Sequence, residues 1–291
     1  MKRKTRPPLT TKRKAWAEAR GGAVFRGTPL RIPAGVAQRY SGELQRLVHR
    51  MSKEYQKELH EMFSTSDYDA QIAQDASITS QSRILTNRLA RKWKKIFDRK
   101  SKGLAEQMVG QADRASAAGV KASLKDVSGG LTLKTSSLSP VAVTQMNASV
   151  VENVALIRSI PEQYASSVQQ AVMRSITSGN GLSDLVPELQ RIGGITERRA
   201  KNIAHDQTSK IYATMNRDRM KGLGIKQFEW LHSGGGQHPR PLHEEMSGKI
   251  YSFDDPPVID ERTGERGIPG QAINCRCVAL PVISFGDEDD E

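Results

Sequence analysis

Four of the six histidines, His205, His232, His238 and His243, fall after residue 200, together with the only two cysteines, Cys275 and Cys277. The segment from Gly236 to His243 precedes Asn274-Cys275-Arg276-Cys277 by about thirty residues. On an extended strand, Cys275 and Cys277 point to one face and Arg276 to the other. Two thiolates on one face with one or two imidazoles suit tetrahedral structural zinc. The candidate ligands are His243, Cys275 and Cys277, with His238 as the fourth. The alternative is a pair of small buried thiols with His243 hydrogen-bonded in the core. Two positions apart on a strand, the cysteines sit near the upper limit for bonding to each other, and two cysteines exclude a disulfide scaffold.

Catalytic chemistry has less support. A catalytic zinc site needs three protein ligands, an open position and a nearby general base. Glu244 and Glu245 follow His243, but the chain has neither HExxH nor the paired CxxC of the zinc deaminases. Gly234-Gly235-Gly236 is not followed by the Lys-Ser/Thr of a phosphate-binding loop. His205-Asp206-Gln207 falls mid-helix, where adjacent positions point in different directions, and suits a buried hydrogen-bond network. No nucleophile and base pair stands out, so no catalytic residue and no enzymatic activity are expected.

The 291 residues carry 44 Lys and Arg against 32 Asp and Glu, a formal charge of +12. Hydrophobic residues at 37% allow a packed core and argue against wholesale disorder. Aromatics at 5% leave that core to Ala, Leu, Ile, Val and nine Met. No window approaches the roughly 18–20 apolar residues of a membrane span, and the basic start lacks the apolar stretch of an export signal. The expectation is a soluble, basic protein made and kept inside the cell. Charge is polarised: the first 14 residues hold seven cations (Lys2, Arg3, Lys4, Arg6, Lys12, Arg13 and Lys14) and no acid, whereas Asp287 to Glu291 reads DEDDE.

Positioning these groups falls to a mostly helical chain. Val36, Tyr40, Leu44, Leu47, Met51, Tyr55, Leu59 and Met62 recur at steps of three or four and predict a helix over 36–63. A second stretch, about 68–118 with a break near Gly103, carries an apolar face of Leu85, Leu89, Trp93, Ile96 and Phe97. Beside that face, Arg88, Arg91, Lys92, Lys95, Arg99 and Lys102 form a basic stripe suited to nucleic acid or an acidic partner. Residues 119–140 read as a loop or hairpin. Helices then follow from about 143, from Pro161 to about 176, from Ser183 to Arg191, and from a Thr196 cap to Gly222. From about 225, short apolar runs split by Gly and Pro predict a small α+β module. The expected organisation is a flexible basic arm (1–35), an α-helical body (36–222), a compact α+β domain (223–285) and an acidic tail (286–291), an α+β fold overall.

The segment Thr196 to Thr208 (TERRAKNIAHDQT) resembles the helix that opens the characteristic region of Mu F-like minor head, or head morphogenesis, proteins of tailed bacteriophages. Trp230, Pro239-Arg240, His243, Gly248-Lys249-Ile250, Pro269 to Cys277 (PGQAINCRC) and Pro281-Val282-Ile283 follow in the family's order. Trp93 to Asp98, Leu156 to Pro161 and Gly181 to Leu189 resemble the preceding region, so the likeness covers most of the chain from about residue 80. Many relatives carry a CxxC near the Trp and a His just before the CRC. Here Arg240 and His243 stand where those cysteines fall, with Ala272 or Asn274 near the position of the His.

The resemblance implies a minor capsid protein that associates with the phage portal and with capsid or scaffolding proteins, assists head assembly, and contacts or accompanies packaged double-stranded DNA. It implies a virion location inside the head at the portal vertex, and the host cytoplasm during assembly. Trp230, Arg240, His243, Asn274, Cys275 and Cys277 would hold the C-terminal domain together, with structural zinc as the one candidate cofactor. The rival readings are a DNA-binding accessory protein and a metal-dependent hydrolase or toxin-like transferase.

Overall fold

The computed structural model describes residues 24–65, 75–125, 133–234 and 239–284. Strand β1 (Val24–Arg26) is followed by four long helices: α1 (Ala34–Thr65), α2 (Asp75–Ser123), α3 (Pro140–Ser178) and α4 (Leu182–Gly222). The rest alternates β2 (Gln227–Leu231), α5 (Pro241–Glu245), β3 (Ile250–Ser252), β4 (Val258–Asp260), β5 (Glu265–Arg266) and β6 (Val278–Ser284). The fold is therefore α+β, mainly helical with a small antiparallel sheet.

The chain divides into two compact units. In one, Gly35–Val109 with Ala148–Gln207, the described residues are helical apart from the turn at 179–181. The predicted stripe of α1 forms its core: Leu44, Leu47, Met51, Tyr55 and Leu59 are buried. They are joined by Leu89, Trp93 and Phe97 of α2, Ile157, Ile160 and Tyr164 of α3, and Leu185, Leu189 and Ala200 of α4. The Tyr55 and Tyr164 rings meet edge to face at 5.1 Å.

Three predicted helix breaks are absent. Pro161 lies inside α3, although an interior proline costs about 3 kcal/mol. The buried series Ile157, Ile160, Tyr164 and Val168 continues through it on one face, so packing outweighs the lost hydrogen bond. Gly193 and Gly194 lie inside α4 rather than ending a helix. A Cβ on Gly193 would stand 2.6 Å from the Ser52 hydroxyl, so this glycine lets α4 approach α1 closely. Gly103 likewise leaves α2 unbroken.

The other unit contains the sheet, Gly110–Asn147 and the chain from Thr208 onward. Its sheet has the order β1-β6-β2-β3, all antiparallel, with Phe25 opposite Ile283 and Trp230 opposite Ala279. Strands β4 and β5 form a separate pair. At the inner end of the arm expected over 1–35, Val24–Arg26 pair with β6 and Phe25 is buried; residues 1–23 lie outside the described residues. Of the loop or hairpin expected near 119–140, residues 126–132 lie outside the described residues, α2 persists to Ser123, and 133–139 form no helix or strand before α3.

Ser139 caps α3, its Oγ accepting from the Ala142 N–H at 3.1 Å with Pro140 in the first helical position. Arg219 of α4 ties this unit together. Its side chain, 1% exposed, donates to Asp113 Oδ1 (2.5 Å), Ser116 Oγ (2.9 Å) and the Thr135 carbonyl (2.6 Å). Removing it strands a carboxylate and a carbonyl, so Arg219→Met should lower unfolding free energy by about 3 kcal/mol in denaturant titration. A loss below 1 would show the network to be dispensable.

Candidate metal centre

Strand β2 alternates, burying Phe228 and Trp230 completely while Gln227, Glu229 and Leu231 remain partly exposed. Its end is fixed where Gly248, at φ +82°, donates its N–H to the Trp230 carbonyl at 2.8 Å. Between these points α5 starts at Pro241, whose fixed φ suits a first helical position. Its third residue, His243, points inward and is 2% exposed. The His243 ring meets the Trp230 ring edge to face, centroids 5.0 Å apart.

The cysteines arrive from the far side of the sequence. The turn before them is set by Asn274, which takes the left-handed backbone conformation (φ 57°), and by Cys275 N–H bonding to the Ala272 carbonyl. Cys275 and Cys277 precede β6 rather than lying in it, yet both are buried and the intervening Arg276 is exposed. Arg240 Nη2 donates to the Ile273 carbonyl at 2.9 Å, holding this turn against the start of α5.

His243 Nε2–H donates to the Ile259 carbonyl at 3.0 Å, which leaves Nδ1 facing the sulfurs at 3.5 Å (Cys275) and 3.7 Å (Cys277). Zinc with tetrahedral angles, Zn–S of about 2.3 Å and Zn–N of about 2.0–2.1 Å would place nitrogen and sulfur about 3.5–3.6 Å apart. The ligand types and the N–S spacings are thus those of three of the four donors that a structural zinc takes. A ring nitrogen bound to a backbone carbonyl, with the other aimed at the metal, is also the usual way a ligating histidine is oriented. Among the described residues these three donors converge; His238 lies outside them.

Without metal, the cluster polarises itself. The Cys277 thiol hydrogen-bonds to Cys275 and, with His243 and the backbone N–H groups of Gly270 and Cys277, draws the Cys275 pKa down against burial. Cys277 is driven upward by that same partner and by burial, so it keeps its proton. Burial pulls the imidazole of His243 down, but bonding to Cys275 and the Ile259 carbonyl outweighs it and leaves a net rise. The void beside Cys277, lined also by Tyr212, Met220 and Ala279, measures about 10 Å³. That space holds a water molecule at most.

The proposed nucleic-acid contacts divide differently. Lys2, Arg3, Lys4, Arg6, Lys12, Arg13 and Lys14 lie outside the described residues. On α2, Arg88 pairs with Glu58 at 2.5 Å and Lys92 with Glu54, both carboxylates on α1. Trp93 Nε1 also donates to Glu54, at 3.0 Å, and Lys102 meets Glu106 one turn on. Arg91, Lys95 and Arg99 are exposed and have no ion-pair partner among the described residues. Part of the stripe thus joins two helices. Neither the α1 carboxylates nor the Ile259 carbonyl was picked out by sequence reasoning: the former sit 30 and 38 positions away, and the latter is a backbone group with no side-chain signature.

Residues 166–280 match the family model described as Phage Mu protein F like protein. The matched stretch includes β2, α5, His243, Cys275 and Cys277. The likeness to that family is shown for this stretch, less than half of the chain. A curated protein of Haemophilus influenzae (strain ATCC 51907 / DSM 11121 / KW20 / Rd), described as uncharacterized, is 32% identical over 188 residues. The alignment takes in 65% of this chain and 40% of that protein, so the chain spans well under half its relative's length. No solved structure matches.

Trp230 is the largest side chain covering the cluster. Trp230→Ala should cost about 3–5 kcal/mol in unfolding free energy; a change below 1 would show that the indole is no anchor.

Proposed function

We propose that this chain is a minor capsid protein of a tailed bacteriophage, a structural part that assists head assembly at the portal vertex. The Mu F-like match over 166–280, coinciding with a closed His-Cys-Cys cluster, carries this reading. Three potential ligands lie 2–3% exposed, His243 against the Trp230 ring, and the void that Cys277 borders is too small for a substrate. Such an arrangement suits bracing of short strands and does not suit turnover. In this role His243, Cys275 and Cys277 would hold a structural zinc, which would supply folding energy. Trp230, Arg240 and Asn274 would shape the pocket around it.

The partners in this reading are the portal protein and capsid or scaffolding proteins, with contact to packaged DNA through the basic arm. The protein would reside in the virion head, having assembled in the host cytoplasm. No helix among the described residues is long and apolar enough to cross a membrane.

Cryo-electron microscopy of assembled particles, reconstructed without icosahedral averaging, should show density for this chain at the portal. Its absence from purified heads would overturn the assignment. Separately, the purified chain should carry about one zinc ion, lost on Cys275→Ser with Cys277→Ser, and chelation should lower its melting temperature. Zinc well below one equivalent in protein prepared without chelator would leave only the hydrogen-bonded cluster.

A further inference from the structure

The helical unit contains an open groove of about 930 Å³ between α1 and α2, with Glu197 of α4 at its edge. Within its lining, Arg46 pairs with Glu43 at 2.7 Å, and His49 Nδ1 lies 3.4 Å from Glu197 Oε1. Arg50, Arg99 and Lys100 also line it, exposed and with no ion-pair partner among the described residues. Elsewhere on the same helix pair, Arg88 and Lys92 do find carboxylates on α1. Three unpaired cations thus border one concave surface.

The groove is also lined by two mid-helix glycines, Gly42 and Gly103. Each costs its helix about 1 kcal/mol relative to alanine. Unlike Gly193, neither is required by packing within the chain. A Cβ on Gly103 would meet nothing within 4 Å, and one on Gly42 only the tip of Arg46 at 4.0 Å. A bare backbone bordering a groove lets another backbone approach closely.

We propose that this groove binds a short acidic peptide segment presented by a partner protein. Peptide carboxylates would meet Arg50, Arg99 and Lys100. The carboxylates in the lining, Glu43 and Glu197, are already held by Arg46 and His49, which leaves these three cations for the ligand. A DNA duplex is convex where the groove is concave, whereas an extended peptide can lie along it. Leu47 and Leu104 give apolar contact alongside. This inference goes beyond the head-assembly reading and does not depend on the zinc cluster.

The test uses the full chain and a fluorescein-labelled hexaglutamate peptide, followed by anisotropy. Binding should weaken at least tenfold when Arg50, Arg99 and Lys100 are all changed to Ser. Gly103→Leu keeps every charge and favours the helix, so it should also cost tenfold by filling the groove while the protein stays folded by circular dichroism. Peptide binding unchanged in both variants overturns the proposal. So does a 20-base-pair DNA duplex that displaces the peptide and itself loses affinity in Gly103→Leu, which would make the groove a nucleic-acid site. Neutralising Asp287 to Glu291 should leave peptide affinity unchanged; several-fold tighter binding would identify the chain's own acidic run as the occupant and overturn the assignment to a partner.

Discussion

The C-terminal module depends on one backbone hydrogen bond. The Ile259 carbonyl takes the Nε2 proton of His243 and so fixes which nitrogen faces Cys275 and Cys277. Without that bond the ring could rotate about χ2, and the three donors would share no common point. The module has strands of two to seven residues and a helix of five, too little regular structure to settle its arrangement from ladder hydrogen bonds alone. A buried polar cluster with defined geometry specifies where the β4 region, α5 and the CRC turn must meet. Trp230 then seals the cluster with apolar area, and Arg240 clasps the turn from outside.

The helical unit is specified by a different force. Its long amphipathic helices share continuous buried stripes, and the continuity of those stripes outweighs local signals to stop. That is why the apolar periodicity of α1 was legible almost to its ends, whereas Pro161 and Gly193 misled. Local propensity describes a residue's cost; it does not reveal that Ile160 and Tyr164 lie buried on either side of that proline, or that Ser52 needs room opposite that glycine. The same limit explains β1. Three residues in a basic stretch carry no strand pattern until β6 lies beside them.

Among the candidate site residues, the CRC spacing and His243 were legible because thiol and imidazole side chains advertise their chemistry. His238 and the arm cations remain proposals from sequence. The basic stripe was legible as charge but not as geometry. Periodicity placed six cations on one arc, while the partners that neutralise Arg88 and Lys92 come from another helix. What remains of the positive field is concentrated at Arg91, Lys95, Arg99 and the neighbouring groove, and a helix wheel of α2 alone could not have shown Arg50 or Glu197 there.

The pairing of β1 with β6 has a consequence for synthesis. Val24 lies opposite Ser284, so the sheet's edge strand joins residues separated by nearly the whole described chain. As the polypeptide leaves the ribosome, Phe25 must wait for Ile283 while all four long helices emerge and begin to pack. Closure of this sheet is therefore a late, high-contact-order event. Translation arrested before residue 278 would leave a helical product whose β1 lacks the one ladder partner it has among the described residues, an open edge of the kind that invites aggregation.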